Sequence, residues 1–240
     1  DFTSVHCAED GSVWFSTHKG IIRFKDDQWA YRQGKRWLPD DDVHNVVVDA
    51  AGDVWVATKN GVGRIEFRDM TLADKAAYYE NEVENYIKRT PYGYTAESSF
   101  AEAGNRDSKV THHDSDNDGL WTAMYGAGEC YAYAATKDPK AKERATAAFK
   151  ALEFLQTVST SGSHPAPKGH VARTIRSVED GDPNIGRIEG DRHHQANDDV
   201  LWKVYEPRWP KSEDGKWYWK SDTSSDELDG HYFFYPLYYD

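Results

Sequence analysis

An internal repeat constrains the possible folds of this chain more than any other feature. Residues 9–23 align with residues 50–64 at an offset of 41 residues, so that Trp14 corresponds to Trp55. Each copy has a turn with glycine, an alternating apolar strand, a second turn with glycine and another apolar strand. A period of about 40–50 residues is typical of the blades of β-propellers. The repeat therefore predicts antiparallel β-units in residues 1–68.

This repeat resembles the propeller repeat of two-component regulators, in which a turn with glycine, a Trp, a Thr, an Asn-Gly turn and an apolar pair follow in order. The resemblance covers residues 1 to about 67 and implies about two blades. Two blades cannot close a ring, and the strand edges that they leave open favour aggregation. Either blades precede residue 1 or these residues pack against the rest of the chain. We expect the chain to be a fragment of a longer protein.

The apolar pattern changes after Met70 from a period of two to one of about 3.6, which is typical of helices. Thr71 as N-cap and Asp138 followed by Pro139 mark two helix starts. The predicted helices cover residues 71–90, 119–136, 138–159, 195–205 and 226 onward.

Paired helices are the unit of an α/α toroid, in which the inner helix is rich in small and aromatic residues and the outer one is charged. Residues 119–136 fit an inner helix, and residues 138–159 fit an outer one. The predicted helices are too few to close a toroid. The sequence thus predicts a multidomain β + α fold, with a partial β-propeller in residues 1–68 and a partial, truncated α/α toroid or barrel as the catalytic domain in residues 69–240.

Two acidic segments, residues 112–119 and residues 222–231, each run directly into an aromatic-rich helical stretch. A carboxylate at a helix start accepts hydrogen bonds from free backbone N–H groups and meets the positive end of the helix dipole. That role accounts for one acidic residue per helix, but not for the others or for the neighbouring histidines. We therefore predict that the two helix starts face one another and form a polar, sugar-binding cup with an aromatic floor.

Composition narrows the classes of function. The net charge of −12, from 41 acidic and 29 basic residues, predicts no nucleic-acid partner. The sequence has no run of about 18 apolar residues, so we expect no membrane span. Nine Trp and fifteen Tyr suit stacking on sugar rings. These features indicate a secreted, periplasmic or cell-surface protein that handles carbohydrate.

The chain begins with Asp1 rather than Met and carries no basic and apolar leader, so we expect it to be processed, engineered or truncated. Cys7 and Cys130 lie in different predicted domains. Two cysteines do not make a disulfide framework, and we expect two separate buried thiols.

Residues 113–125 and 222–232 resemble segments of secreted α/α-barrel proteins of Bacteroidetes that carry regulator-type propeller repeats ahead of the barrel. Among these proteins, the chain is similar to polysaccharide lyases that cleave the rhamnose–glucuronate linkage of arabinogalactan side chains. The resemblance spans nearly the whole chain and implies polysaccharide degradation by β-elimination. The shortened propeller and the missing barrel helices depart from that family.

β-Elimination at a uronate removes the proton at C5 and expels the oxygen at C4, so it needs a neutralised carboxylate, a base and an acid. We expect the base to be His231 or His113, with His112 as a further imidazole. We expect the acid to be Tyr125 or Tyr232.

The substrate implied is a uronate-containing polysaccharide or oligosaccharide. Arg173 and Arg176 are expected to neutralise its carboxylate through paired hydrogen bonds. The expected substrate-binding residues are Asp118, Trp121, Arg173, Asp226 and Glu227.

A partial Ca²⁺ motif overlaps the first acidic segment. The first half of a Ca²⁺ loop is matched by Asp114, Asp116, Asp118 and Gly119. The twelfth position of that loop is Tyr125 instead of a bidentate Glu, although Glu129 one turn later offers a replacement ligand. We expect no required cofactor and keep Ca²⁺, held by the three aspartates, as an open alternative.

Two other functions remain open. An inverting glycoside hydrolase on an α/α toroid needs two carboxyl groups about 6.5–9.5 Å apart, for which Asp118 with Asp226 or Glu227 is a candidate pair. Alternatively, the repeats and aromatic residues form a non-catalytic glycan sensor or binding module. The lyase is the preferred hypothesis.

Overall fold

The computed structural model describes residues 1–102 and 104–240. These residues divide into two compact units, the first formed by residues 1–77 with 100–108 and the second by residues 78–99 with 109–240. Each unit has a hydrophobic core of its own. Within the described residues, no helix combines the length and the apolar character needed to cross a membrane.

Two antiparallel sheets form the first unit. The β1–β4 sheet contains β1 (Phe2–Cys7), β2 (Val13–Thr17), β3 (Gly20–Lys25) and β4 (Gln28–Arg32), hydrogen-bonded in this order. The β5–β7 sheet contains β5 (Val43–Val48), β6 (Val54–Thr58) and β7 (Gly61–Ile65). The turns into β3 and β7 place Gly20 at a φ of 107° and Gly61 at a φ of 132°, a region that glycine adopts without strain. The strands predicted from the repeat are confirmed.

Side chains from both sheets build the core of the first unit. From the β1–β4 sheet, Trp14 and Ile21 are buried. They cluster with Leu38 and with residues of the β5–β7 sheet, namely Val43, Val46, Val54, Val56 and Ile65. Because side chains alternate along a strand, each sheet contributes only every second residue to this core.

Helices and short two-stranded sheets form the second unit. The helices are α1 (Leu72–Glu82, which begins in residues of the first unit), α2 (Asp118–Thr136), α3 (Pro139–Thr157), α4 (Arg187–Asn197) and α5 (Ser225–Tyr239), with a π-helical turn at Val83–Ile87 and a 3-10 turn at Val178–Asp180. The strand pairs are β8 (Lys88–Arg89) with β9 (Tyr94–Thr95), β10 (Glu97–Phe100) with β11 (Val110–His113), and β12 (Ile175–Ser177) with β13 (Trp217–Trp219).

The helices α2, α3 and α5 pack together around small residues. The start of α3 is fixed as predicted, because Asp138 accepts a hydrogen bond from the N–H of Lys140 at 3.0 Å and Pro139 occupies the first turn. A Cβ at Gly126 of α2 would lie 2.7 Å from the ring of Phe234 in α5 and 2.9 Å from Cβ of Ala148 in α3. Glycine at position 126 therefore allows the three helices to approach one another closely.

The predicted fold class, a partial propeller followed by a partial α/α toroid, is wrong. The described residues contain five α-helices and several small antiparallel sheets, and their helices do not close into a toroid or barrel. The prediction of a helix at 195–205 also fails, since α4 ends at Asn197. Between α3 and α5, prolines, which lack a backbone N–H and break helices, limit helix formation; they stand at Pro165, Pro167, Pro183, Pro207 and Pro210.

Both cysteines are free, as expected. However, Cys7 is exposed and Cys130 is only half-buried, so the expectation that both are buried is wrong. Cys7 is exposed because its side chain lies on the face of the β1–β4 sheet that does not enter the core.

Candidate functional site

The starts of α2 and α5 meet in the second unit. Glu227, in the first turn of α5, accepts a hydrogen bond through Oε1 from the N–H of Leu120 at 3.1 Å. Gly230 lies against the same turn of α2, where a Cβ would be 2.9 Å from Cα of Leu120. The structure thus brings together the two acidic segments that the sequence predicts to converge.

The meeting point is buried and does not form an open cup. Glu227 is 0% exposed and His231 is 1% exposed. Burial raises the pKa of Glu227 to about 8 and lowers the pKa of His231 to about 4, because each charged form would lose its hydration. Nδ1 of His231 lies 2.9 Å from the hydroxyl of Tyr235, and Nε2 lies 4.0 Å from Oε1 of Glu227. In this structure the two side chains do not line a surface that a polysaccharide can reach.

Asp118 is also buried, and its carboxylate is saturated with hydrogen bonds. Arg89 forms an ion pair with Oδ2, and the hydroxyl of Thr174 donates to the same oxygen at 2.6 Å. The N–H of Ser115 donates to Oδ1 at 3.0 Å. Asp118 therefore anchors the start of α2 and holds Arg89, which also donates to the carbonyl of Ile175 at 2.8 Å.

The three aspartates of the partial Ca²⁺ motif each face a different cation. Arg89 pairs with Asp118, Lys220 pairs with Asp116, and Arg176 approaches Asp114 at 3.3 Å. Among the described residues, no group of three or more His, Cys, Asp or Glu side chains is placed to hold a metal ion. The donor set does not fit Ca²⁺, because its carboxylates already neutralise protein cations.

The other predicted substrate contacts differ in their partners and in their exposure. Arg173 donates from Nε to the carbonyl of Asp116 at 2.8 Å, and its Nη1 lies 3.8 Å from the carboxylate of Asp222. Trp121 is 37% exposed on α2. Asp226 is exposed in the first turn of α5, where a hydrogen bond from Ser224 lowers its pKa.

The predicted proton donors Tyr125 and Tyr232 and the second histidine, His113, lie on three different elements, α2, α5 and β11. Tyr125 donates a hydrogen bond to Glu80 at 2.7 Å, and burial together with this carboxylate raises its pKa. Tyr232 is exposed on α5. His113 lies on β11 with Nε2 3.0 Å from the hydroxyl of Ser99.

An open cavity of about 700 Å³ lies on the second unit, where β8, β11, β12 and the residues beside β13 come together. We call it the His112 cavity. Its lining residues include His112, the basic residues Arg89, Lys109, Arg176 and Lys216, the acidic residues Asp114, Glu179 and Asp180, and Trp217.

Hydrogen bonds and ring contacts fix the walls of the His112 cavity. Antiparallel pairing of β12 with β13 sets Ile175 opposite Trp219 and Ser177 opposite Trp217. Trp217 packs edge-on against Tyr92 with the ring centroids 5.6 Å apart. The guanidinium of Arg176 lies over the ring of Trp209 at 5.7 Å, which limits its motion.

Of the residues singled out from sequence, His112, Arg176 and Asp114 reach this cavity. Sequence reasoning did not identify Lys109, Lys216 or Trp217 as candidates. The run from Lys216 to Lys220, which places cations on both sides of aromatic residues, was the available signal for two of them.

No family model matches this sequence. No curated protein matches it either. The geometry of the His112 cavity is therefore the basis for assigning a function.

Proposed function

We propose that the His112 cavity binds a uronate-containing glycan and cleaves it by β-elimination, as a secreted, periplasmic or cell-surface polysaccharide lyase. The observation that supports this proposal is the presence of one imidazole and several cations in a single open cavity. A cavity of about 700 Å³ is within the range that accommodates a small ligand, here one or two sugar rings.

Individual cations of the cavity can pair with the carboxylate of an anionic sugar, although Asp114, Glu179 and Asp180 line the same cavity. The side chains of Arg176, Lys109 and Lys216 place positive charge along the cavity. Positive charge at the uronate carboxylate stabilises the negative charge that develops when the neighbouring C5–H bond breaks. Asp114 holds Nε of Arg176 at 3.3 Å and so orients the guanidinium.

The proposed reaction divides the proton transfers between two groups. The neutral imidazole of His112 takes the proton from C5, and the electron pair of that bond forms the C4=C5 double bond. The C4–O bond breaks, and its oxygen takes a proton from the ammonium of Lys109 or Lys216. Lysine takes the acid role because, among the described residues, neither Tyr125 nor Tyr232 lines this cavity.

The test uses the 240-residue chain with arabinogalactan that carries terminal rhamnose–glucuronate units. A lyase produces an unsaturated uronate that absorbs in the ultraviolet. His112→Gln should lower kcat/KM by about 10²–10⁴-fold, because it removes the base. His113→Gln is the matched control and should retain activity, since the His113 side chain contacts Ser99 rather than the cavity.

The alternative functions give different results in the same assay. New reducing ends without ultraviolet absorbance would indicate a glycoside hydrolase, and binding without turnover would indicate a sensor. Either result overturns the lyase proposal, as does an unsaturated product that forms equally well with His112→Gln.

A further inference from the structure

Both sheets of the first unit carry apolar side chains on the face that points away from their shared core. On the β1–β4 sheet this outer face includes Phe2, Val5, Phe15, Phe24 and Trp29. Ring contacts join its members, with centroids 4.9 Å apart for Phe2 and Phe15 and 4.6 Å apart for Phe24 and Trp29. On the β5–β7 sheet the corresponding free face consists of Val47, Trp55, Val62 and Arg64.

The internal repeat relates the outer face to a surface that is buried in the same molecule. An offset of 41 residues places Val5 at the position of Val46 and Phe15 at the position of Val56. Val46 is 1% exposed and Val56 is 0% exposed, because this face of the β5–β7 sheet packs in the core. Val5, by contrast, is 60% exposed. The outer face is therefore the repeat equivalent of a face that is packed in the core, but among the described residues no second sheet packs on the outer face itself.

The free face of the β5–β7 sheet, in turn, is the repeat equivalent of the buried face of the β1–β4 sheet. Trp55 corresponds to Trp14, and Val62 corresponds to Ile21. The exposed fraction rises from 2% for Trp14 to 40% for Trp55, and from 1% for Ile21 to 67% for Val62.

A cation–ring contact is preserved between these two equivalent faces. Arg23 lies 5.6 Å from the ring of Trp14, and Arg64 lies 5.6 Å from the ring of Trp55. The free face thus reproduces one side-chain contact of the face that packs against the β5–β7 sheet in the core.

Each repeat therefore has two different faces, and the core of the first unit shows how one face packs on the other. The two uncovered faces, the outer face and the free face, are the repeat equivalents of the two faces that pack together in the core. An interface between two different surfaces is heterologous, so it can repeat from one copy of a chain to the next. Contiguous exposed apolar side chains favour such an association, because it removes them from water.

We propose that a second copy of this chain docks on the β1–β4 sheet, with the free face of one copy packed against the outer face of the other. The contact repeats the sheet-on-sheet packing seen within each chain. It is head-to-tail, so the assembly as a whole keeps one unused outer face at one end and one unused free face at the other.

Sedimentation velocity over a range of concentrations tests this proposal. The chain should associate reversibly as its concentration rises. Val5→Lys on the outer face and Val62→Lys on the free face should each weaken self-association about tenfold or more, because each buries a charge in the apolar contact. Val200→Lys is the matched control, since Val200 is 80% exposed in the second unit, and it should associate as the unchanged chain does.

Mixing the two face variants gives the decisive result. The Val5→Lys chain keeps an intact free face, and the Val62→Lys chain keeps an intact outer face. An equimolar mixture should therefore form a one-to-one dimer that neither variant forms alone. Circular dichroism of each variant checks that both sheets remain folded.

Three results would overturn the proposal. The first is a monomer at every concentration. The second is association that Val5→Lys and Val62→Lys leave unchanged, or that Val200→Lys weakens equally. The third is a mixture of folded face variants that stays monomeric.

Discussion

Glu227 of α5 accepts a hydrogen bond from the backbone N–H of Leu120 in α2, across a sequence separation of 107 residues. The bond satisfies one of the free N–H groups at the start of α2. It also fixes α5 against α2 at a point where the Glu227 side chain does not reach water. The protonation state of one buried carboxyl group is thus coupled to the packing of two helices.

Ionisation of Glu227 should make the stability of the protein fall as the pH rises from about 4.5 to about 8. Its pKa is raised from 4.5 to about 8 in the folded protein, so the folded state retains a proton that the unfolded state releases. Stability from this group is fully present below pH 4.5 and is lost as the pH rises towards 8. The loss should be on the order of a few kcal/mol. Urea unfolding of Glu227→Gln, which stays neutral, should show a flatter profile in this range; parallel profiles for both proteins would contradict the assignment.

His231 should make the stability of the protein fall as the pH is lowered, which is opposite to the effect of Glu227. Its pKa is lowered from 6.5 to about 4 by burial, so the folded state resists a proton that the unfolded state accepts. Stability from this group is present above pH 6.5 and is lost as the pH falls through 4. Thermal unfolding between these pH values should show a smaller loss for His231→Gln than for the unchanged chain. His113→Gln, at an exposed position, serves as the control and should not alter the profile.

Replacing Asp118 by Asn should destabilise the second unit. The substitution leaves Arg89, which is itself largely buried, without its carboxylate partner. Removing one partner of a buried pair costs about 3–5 kcal/mol. Urea unfolding at neutral pH measures the difference. Asp226→Asn, at an exposed position in the first turn of α5, should change stability much less than Asp118→Asn does.

Two glycines of α2 offer a matched comparison. Gly126→Ala should cost about 1–3 kcal/mol, because the new methyl group would overlap the ring of Phe234. Gly128→Ala should instead stabilise by up to about 1 kcal/mol, since a Cβ added there would meet no atom within 4 Å and alanine is the better helix former. Differential scanning calorimetry should show opposite changes in Tm. Equal changes would mean that the close approach at position 126 is not a constraint.

Local signals in the sequence predicted the elements that local chemistry determines. The repeat located β2, β3, β6 and β7, because turns with glycine and alternating apolar residues act over a few residues. The cap at Asp138 and Pro139 fixed the start of α3. These features need no knowledge of the rest of the chain.

The toroid failed because it depended on long-range arrangement. The sequence does not determine how many helices pair, and the segment rich in proline, glycine and serine after α3 forms loops and short strands instead. The convergence of Glu227 with Leu120 followed from the acidic segments, but their burial did not. The identity of an acidic residue does not determine whether its side chain faces water or packs against another helix. The His112 cavity was missed as a whole because β8, β11 and β12 lie far apart along the chain.

Gly119 has a consequence for how the helix pair is completed. A Cβ at this position would collide with the carboxyl group of Glu227 and would lie 2.7 Å from Nε2 of His231. The carboxyl group of Glu227 in α5 therefore occupies the space that a side chain at position 119 of α2 would otherwise fill. Ionisation of Glu227 would place a negative charge in a space that bulk solvent does not reach, and the positive end of the α2 dipole offsets only part of the hydration that the charge loses.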